Sequence, residues 1–212
     1  HFDHSGSAVE LHELTDAKIV AQRDETETTT DGKILLRKGD ESEPPPFWYH
    51  WLRGRWRMPQ RQEREYPNTD VHEILEDGDV IPVLGGLRVI HTPGHTPGSI
   101  CLMLENPKVL FLGDSVINNI TRLSRPLMWD RNKRRRLDAS LRRLRDFQAQ
   151  AACFGHGPPL AEEVMIRIRS LTEKPYDVPT WRIVLKNWGT LKRFYASTRR
   201  PGHWGQPERP KP

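Results

Sequence analysis

The chain has 212 residues, a length that suits one domain with its own hydrophobic core. Apolar residues make up 35% of the sequence and the mean hydropathy is −0.72, so part of the chain is expected to be exposed or extended, and no apolar run is long enough to span a membrane. The net charge of +5 comes largely from arginine clusters at 53–57, 131–136 and 142–145, which indicate solvated faces; a surface for nucleic acid or anionic membrane is the alternative.

The first third of the chain alternates short regular segments with polar ones. Residues 7–14 carry apolar side chains at helical spacing and predict a helix, and residues 17–21 predict a strand. The threonine-rich residues 24–32 favour a loop or the start of another short helix. An insertion at 40–70 is aromatic and basic, above all at 47–57. Its aromatic side chains are expected to pack it onto the domain, with a lid or wall of a substrate pocket, or a membrane-surface patch, as alternatives.

From residue 71 the pattern becomes regular. Strands are predicted at 80–84, 87–90, 99–104, 108–112 and 151–154, helices at 137–150 and 161–171, and a polar connection at 118–136. Residues 1–175 are therefore predicted to form one domain that contains both strands and helices. Residues 176–212 are predicted to form an amphipathic helix and a Pro/Arg-rich tail. The helix is expected to dock on the domain, with a homodimer contact or a membrane-surface helix as alternatives.

The two cysteines, Cys101 and Cys153, both lie in apolar strand-like runs. Their surroundings indicate small buried hydrophobic side chains in a reducing compartment, not the two halves of a disulfide. No signal-peptide pattern opens the sequence. Together these observations predict a cytoplasmic protein.

The segment His-Thr-Pro-Gly-His-Thr-Pro-Gly at 91–98 places His95 between two Pro-Gly pairs, directly after an apolar strand-like run. Each pair favours a tight turn, so the backbone aims the imidazole of His95 in one direction. A metal ligand needs such a fixed direction. A solvated histidine in a surface turn is the alternative when this segment is considered alone.

Three other segments carry histidine or aspartate where an apolar run ends or begins. Together with His95 they supply imidazole and carboxylate groups from His1, Asp3, His4, Asp114 and His156. The strand ends of a layered α/β protein meet at one edge, so these residues are expected to converge. A nitrogen and oxygen ligand set without thiolate suits zinc first, with iron or manganese as alternatives. One carboxylate between two groups of imidazoles suits a two-metal site that activates a hydroxide and polarises a carbonyl or phosphoryl oxygen.

These motifs resemble those of the metallo-β-lactamase-fold hydrolase superfamily. His1-Phe2-Asp3-His4 is similar to the last four positions of the His-x-His-x-Asp-His motif of the family, and His95 lies in the Thr-Pro-Gly-His-Thr-Pro-Gly loop. Gly113-Asp114 and the Gly-His-Gly-Pro stretch at 155–158 complete the set in the right order. The double Thr-Pro-Gly loop is typical of the glyoxalase II-like and general hydrolase branches. The resemblance covers residues 1–172 and implies the four-layer αββα sandwich of this family.

The resemblance also implies a role for each residue. His1 and His95 would hold one metal, together with the first histidine of the motif. Asp3, His4 and His156 would hold the second metal, and Asp114 would bridge the two. Asp3 would also act in catalysis, by orienting the hydroxide or carrying a proton. His91 is not a ligand in that pattern, so a supporting or structural role is expected for it.

The sequence departs from the family pattern at its start. The first histidine of the motif would lie two residues before His1, and the strands that the family places ahead of the motif would also precede it. We therefore expect a fragment of a longer protein, with a sandwich that lacks its N-terminal strands and a first metal site that lacks one ligand. The longer parent is expected to be the active species.

The resemblance implies a hydrolase with two zinc ions that cleaves an ester, thioester or lactone of a small molecule. The short stretch between Asp114 and His156 leaves no room for a nucleic-acid-processing insertion, which argues against the RNA-cutting branch. Two alternatives stay open. One is an inactive remnant with an incomplete metal site, and the other is a phosphodiesterase or nuclease that uses the arginine clusters.

Overall fold

The computed structural model describes residues 1–37, 68–120, 122–174 and 176, with the side chain of Phe2 excepted. Most of the insertion predicted at 40–70 lies outside these ranges, and so do the helix and tail predicted after residue 176. Within the described ranges, no helix combines the length and the apolar character that crossing a membrane requires.

The described ranges contain eleven short strands and four α-helices. The strands are β1 (Val20–Gln22), β2 (Thr26–Thr28), β3 (Ile34–Leu36), β4 (Glu73–Leu75), β5 (Val80–Ile81), β6 (Leu87–His91), β7 (Ile100–Leu104), β8 (Val109–Phe111), β9 (Ile117–Asn118), β10 (Leu123–Ser124) and β11 (Ala151–Cys153). The helices are α1 (Phe2–Ser5), α2 (Ala8–Thr15), α3 (Arg131–Arg143) and α4 (Val164–Glu173). The predicted α/β class is confirmed.

A mixed five-stranded sheet in the order β11-β8-β7-β6-β5 forms the centre of this part of the chain. Strands β5 to β8 pair antiparallel through short turns, whereas β11 pairs parallel with β8. A parallel partner needs a long crossover connection, which α3 supplies. Three two-stranded sheets accompany the central one: β1 with β4 in parallel, and the antiparallel hairpins β2–β3 and β9–β10.

The core is built from side chains of this sheet, of α3 with the turn that follows it, and of α4. Fully buried apolar side chains come from the strands and from one face of each helix: Val89, Ile90, Met103, Leu110, Leu112, Leu137, Leu141, Leu144 and Ile168. Burying each such side chain stabilises the fold by about 1.5–3 kcal/mol before the loss of conformational entropy is counted. Helix α2, in contrast, contributes no buried residue.

The prediction for α3 was wrong in its limits. The helix expected at 137–150 begins at Arg131 and ends at Arg143, and a single 3-10 turn at Leu144–Asp146 follows it. The start moves because the side chain of Asp130 accepts a hydrogen bond from the Asn132 backbone N–H at 2.6 Å, which caps the helix. Arginines are good helix formers, so the run behind the cap continues the helix. The connection predicted at 118–136 therefore contains the β9–β10 hairpin and the first turns of α3.

Other predicted boundaries moved by a few residues. The strand predicted at 80–84 ends at Ile81, because the chain turns early and Leu84 has a left-handed φ of 52°. Residues 24–32, expected to be a loop or a short helix, form part of a 3-10 turn and then strand β2. The helices predicted at 7–14 and 161–171 are confirmed as α2 and α4, each with a shift of one to three residues.

The arginine cluster at 131–136 does not form a uniformly solvated face, and the cluster at 53–57 lies outside the described residues. Arg134 in α3 is only 1% exposed, and its Nη1 donates hydrogen bonds to the carbonyl oxygens of Met128 at 2.9 Å and Trp129 at 2.8 Å. The expectation of a solvated side chain is wrong at this position, where the guanidinium ties the start of α3 to the segment before it. Both cysteines are free, and the predicted burial is found for Cys101, whereas Cys153 is half-buried.

Candidate metal centre

Three strands of the central sheet end at the same edge. Because β6 is antiparallel to β7 and β7 is antiparallel to β8, strands β6, β8 and β11 all run in one direction. His95 follows β6, Asp114 follows β8 and His156 follows β11. The strand-end argument from the sequence therefore holds for these three residues. In the first segment, Asp3 and His4 lie within the short helix α1, and His1 directly precedes it.

The six predicted residues lie together in two groups at this edge. The first group contains His1, His95 and Asp114, and the second contains Asp3, His4 and His156; within each group the ligand-type atoms are within 4.8 Å of one another. Nδ1 of His1 is 3.2 Å from Nε2 of His95. In the second group, Nε2 of His156 is 3.2 Å from Nε2 of His4 and 3.4 Å from Oδ2 of Asp3.

Asp114 stands between the two groups. Its Oδ2 is 3.4 Å from Nε2 of His95, 3.1 Å from Nε2 of His4 and 3.6 Å from Nε2 of His156. The side chain of Asp114 is 14% exposed, whereas that of Asp3 is 59% exposed. The half-buried carboxylate of Asp114 is thus placed to be shared by both groups, and the exposed one of Asp3 lies on the side open to solvent.

The surrounding imidazoles control the ionisation of Asp114. Burial acts to raise the pKa of this carboxyl. The hydrogen bond with His95 and the charges of His4, His95 and His156 outweigh burial and lower the pKa below its usual value of 3.8. Asp114 is therefore a carboxylate at neutral pH, with imidazole nitrogens on both sides.

Some polar atoms of the six ligand-type residues lack a hydrogen-bond partner among the described residues. Oδ1 of Asp114 and Nδ1 of His95 are buried and have no hydrogen-bond partner among these residues. Buried polar atoms are normally paired, and two imidazole nitrogens that approach within 3.2 Å need a proton or a cation between them. Nitrogen and carboxylate donors in groups of three suit divalent metals of the zinc, iron and manganese type. The residues present therefore fit such ions.

Glycines allow the loops that carry the ligand-type residues to pack closely against their neighbours. Gly155 precedes His156, and a β-carbon at this position would overlap Oδ1 of Asp114 and lie 3.1 Å from Cε1 of His4. Gly94 precedes His95, has a φ of +149° and packs against the backbone of Leu137 in α3. Both glycines bring a ligand-type histidine closer to its neighbours than any larger residue would permit.

The loop that carries His95 is also held by hydrogen bonds from outside it. Ser140 Oγ in α3 donates to the Pro93 carbonyl oxygen at 2.8 Å. His91 belongs to neither donor group; its Nε2 lies 2.9 Å from the Pro97 carbonyl oxygen. Sequence reasoning did not single out Glu25, whose Oε1 accepts a hydrogen bond from the Gly98 N–H at 2.7 Å. No local signal points to a contact between residues so far apart in sequence.

Comparison with protein families identifies the group to which the chain is related. A family model described as the metallo-beta-lactamase superfamily matches residues 1–156, which is most of the chain and includes every residue of both donor groups. The chain belongs to this superfamily. The resemblance inferred from the four motifs is thereby confirmed.

Individual relatives within the superfamily match parts of the chain. The acyl-coenzyme A thioesterase MBLAC2 of Homo sapiens is 36% identical over 127 residues, which cover 55% of this chain and 38% of that protein. The atrochrysone carboxyl ACP thioesterase AgnL7 of Paecilomyces divaricatus is 39% identical over 66 residues, covering 30% of this chain and 21% of that protein. The chain thus spans well under half the length of these curated relatives.

Solved structures of the superfamily share the fold. The metallo-beta-lactamase family protein TTHA1429 from Thermus thermophilus superposes with a TM-score of 0.53 and 26% identity, over 79% of this chain and 55% of that one. The BLEG-1 B3 metallo-beta-lactamase superposes with a TM-score of 0.50 and 21% identity, over 82% of this chain and 71% of that one. The metallo-β-lactamase fold expected from the motifs is confirmed.

Proposed function

We propose that the protein is a metal-dependent hydrolase of the superfamily that cleaves the thioester of a small molecule. The observation that carries the proposal is the position of Asp114, whose Oδ2 lies within 3.6 Å of imidazole nitrogens from both donor groups. His1 and His95 would hold one metal, Asp3, His4 and His156 the other, and Asp114 would be common to both. Zinc is the proposed ion, with iron or manganese as alternatives.

The proposed chemistry divides between the metals and the side chains. When bound, the metals supply a water of lowered pKa and an electrophile for the carbonyl oxygen. Asp114, ionised at neutral pH, holds its negative charge at the midpoint of the site. Asp3 is 59% exposed and its Oδ2 lies 3.4 Å from Nε2 of His156, so it is placed to orient the attacking water and accept its proton.

The choice of a thioester rests on relatives that are named thioesterases. An oxygen ester or a lactone presents the same type of carbonyl to the site, so both belong in any test. The zinc preference, the glyoxalase II-like branch, the cytoplasmic location and the homodimer stay predictions. The division of the chain into a domain at 1–175 and a helix with a tail at 176–212 also stays a prediction.

The proposal is tested by measuring bound metal and substrate turnover on the same protein preparation. The 212-residue chain is loaded with zinc, iron or manganese, its metal is counted by mass spectrometry, and release of free thiol from acyl-coenzyme A and S-acylglutathione is followed with a thiol reagent. An oxygen ester, a lactone and a β-lactam complete the panel. The same assay on the longer parent expected from the sequence is the reference: there we expect thioester turnover that Asp114→Ala abolishes together with bound metal, whereas the exposed Glu27→Ala changes neither.

The two measurements separate the ways in which the proposal can fail. Two bound metals without turnover of any substrate in the panel would mean a metal-binding protein without this hydrolase activity. Turnover of the lactone alone would keep the hydrolase and reject the thioester. A chain that binds no metal under any loading condition would remove the basis of the proposal.

A further inference from the structure

The peptide group between Pro97 and Gly98 is hydrogen-bonded on both sides by side chains from outside the His95 loop. Nε2 of His91 lies 2.9 Å from its carbonyl oxygen, and Oε1 of Glu25 accepts its N–H at 2.7 Å. A carbonyl oxygen can only accept, so Nε2 of His91 carries the proton and donates. One peptide plane, two residues beyond His95, is thus held at both ends.

Bonds inside the loop close it but do not orient it. The Thr92 N–H donates to the Ser99 carbonyl oxygen at 2.8 Å, and Ser99 Oγ accepts from the Thr96 N–H at 3.0 Å. These contacts join residues within the loop or at its ends, so they do not connect it to other elements. The bonds from His91 and Glu25 connect the far side of the loop to β6 and to the 3-10 turn after β1, whereas the Ser140 bond to Pro93 connects its near side to α3.

The turn that carries Glu25 is itself held in place. The Arg37 N–H donates to the Glu25 carbonyl oxygen at 2.6 Å, and Gln22 Oε1 accepts from the Asp24 N–H at 2.6 Å. Gly98 meets this turn closely, because a β-carbon on Gly98 would lie 2.6 Å from both Gln22 Oε1 and Glu25 Cγ. The absence of a side chain at position 98 lets the carboxylate of Glu25 reach the backbone.

His91 is anchored on its other side as well. Its backbone N–H donates to Asp77 Oδ1 at 2.7 Å, and Nη1 of Arg143 donates to its carbonyl oxygen at 3.1 Å. The side chain therefore projects from a backbone that is held by α3 and by the turn before β5. His91 and Glu25, whose side chains hydrogen-bond the Pro97–Gly98 peptide group, therefore both extend from backbone that is itself held by hydrogen bonds.

We infer that Glu25 and His91 are positioning residues that fix the direction of the His95 imidazole. The inference rests on the proposed function only in that His95 is taken as a metal ligand. Side chains that orient a ligand without touching the metal typically change affinity by about 10–100-fold when they are removed. Because Glu25 acts through the backbone of the loop, the lower end of that range is expected.

Cobalt titration of the metal-free 212-residue chain tests the inference, with affinity measured by chelator competition and the ligand-field spectrum recorded at each step. Glu25→Ala is expected to weaken one of the two bound Co²⁺ ions by on the order of 10-fold and to change its spectrum. Glu25→Gln keeps an oxygen that accepts from Gly98, so it is expected to restore wild-type affinity. Glu27→Ala, on the neighbouring strand β2, is the matched control and should leave both ions unchanged.

His91→Ala is expected to reproduce the effect, and the double variant should lose less than the sum of the two single losses because both residues hold one peptide group. Unchanged Co²⁺ affinity and spectrum in Glu25→Ala would overturn the inference, as would equal losses in Glu25→Ala and Glu25→Gln. If Glu25→Ala does not fold, Glu25→Asp takes its place. The shorter side chain moves the carboxylate away from the Gly98 N–H, so this variant must show the loss of Co²⁺ affinity instead. A wild-type chain that binds no Co²⁺ would overturn the proposed metal centre, whereas an unaffected variant overturns only the positioning role.

Discussion

Gly155 lies directly against the carboxylate of Asp114, and the Gly155 N–H donates to the Gly113 carbonyl oxygen at 2.8 Å. The loops after β8 and β11 are joined at this point by backbone alone. Gly155 does not have a positive φ, so the position requires glycine for space and not for an unusual backbone conformation. The two ligand-type residues on either side, Asp114 and His156, depend on that space.

Substitution Gly155→Ala is expected to displace the Asp114 carboxylate, because the added methyl group would overlap Oδ1. Overpacking of this kind costs about 1–3 kcal/mol of stability. We also expect metal binding to fall by at least about 10-fold, the lower limit for losing an orienting partner. Urea denaturation and chelator competition measure the two effects.

Gly32→Ala is the matched control for this substitution. Gly32 has a φ of +83° and open space around it, so the variant should lose stability through backbone strain and keep its metal affinity. Wild-type metal affinity in Gly155→Ala would show that Asp114 does not need its present position.

A second prediction concerns acid stability and the Asp77 carboxylate. Burial acts to raise the pKa of Asp77, but the hydrogen bond from the His91 N–H and the contact with Arg143 outweigh it, so the pKa is lowered from 3.8. A lowered folded-state pKa contributes stability above the unfolded value, and this contribution is lost as the pH falls through the folded value. Asp77→Asn should therefore destabilise the metal-free chain at pH 7, by less than about 1 kcal/mol for a half-exposed ion pair.

The difference in unfolding free energy between wild type and Asp77→Asn should shrink as the pH falls below 3.8, the ordinary pKa of the carboxyl. Urea melts in a chelating buffer at several pH values between about 7 and 3 give the comparison. Asp146→Asn changes an exposed carboxylate and should show a smaller effect at neutral pH. A difference that grows on acidification would contradict the assigned sign.

The two cysteines should differ in reactivity. Burial raises the pKa of Cys101 to about 11, and hydrogen bonds with the hydroxyls of Thr92 and Ser115 oppose it only in part. The reactive thiolate is therefore scarce at Cys101 at neutral pH, whereas Cys153 is only half-buried. We expect iodoacetamide at about pH 7.5 to modify Cys153 in the native chain, and both residues after denaturation. Mass spectrometry of peptides reads the outcome, and rapid native modification of Cys101 would be inconsistent with its burial.

Leu137 in α3 packs against the backbone of Gly94 and is fully buried. Leu137→Ala leaves a cavity in the core and is expected to cost roughly 2–5 kcal/mol, the range for large-to-small core substitutions. The matched control is Leu14→Ala in α2, where the side chain is 75% exposed and the loss should stay below about 0.5 kcal/mol. Equal midpoints in urea for the two variants would place Leu137 outside the folding core.

The ligand-type residues could be located from the sequence because each carries a local signal. His95 lies between two Pro-Gly pairs, and Asp114 and His156 follow apolar strands and stand beside glycine. Strand direction then brings them to one edge, which a sequence of alternating strands and helices already predicts. The order of the motifs in the chain also suffices to identify the family.

Two features could not be obtained in this way. The limits of α3 depend on one side-chain hydrogen bond from Asp130, while the apolar periodicity that predicted the helix is absent from its arginine-rich first turns. The contact of Glu25 with Gly98 joins residues that are 73 positions apart. Such contacts leave no periodic or spacing signal, because tertiary packing alone decides which polar side chain reaches which backbone group.

The parallel pairing of β8 with β11 has a consequence for the order in which the molecule assembles. The hairpins of β5 to β8 join neighbours in sequence, so they close small loops and can form early. β11 can pair only after the intervening chain has crossed over and α3 has docked, which requires a much larger loop. His156 therefore reaches Asp114 late, and we expect refolding followed by a metal-sensitive signal to lag behind refolding followed by circular dichroism.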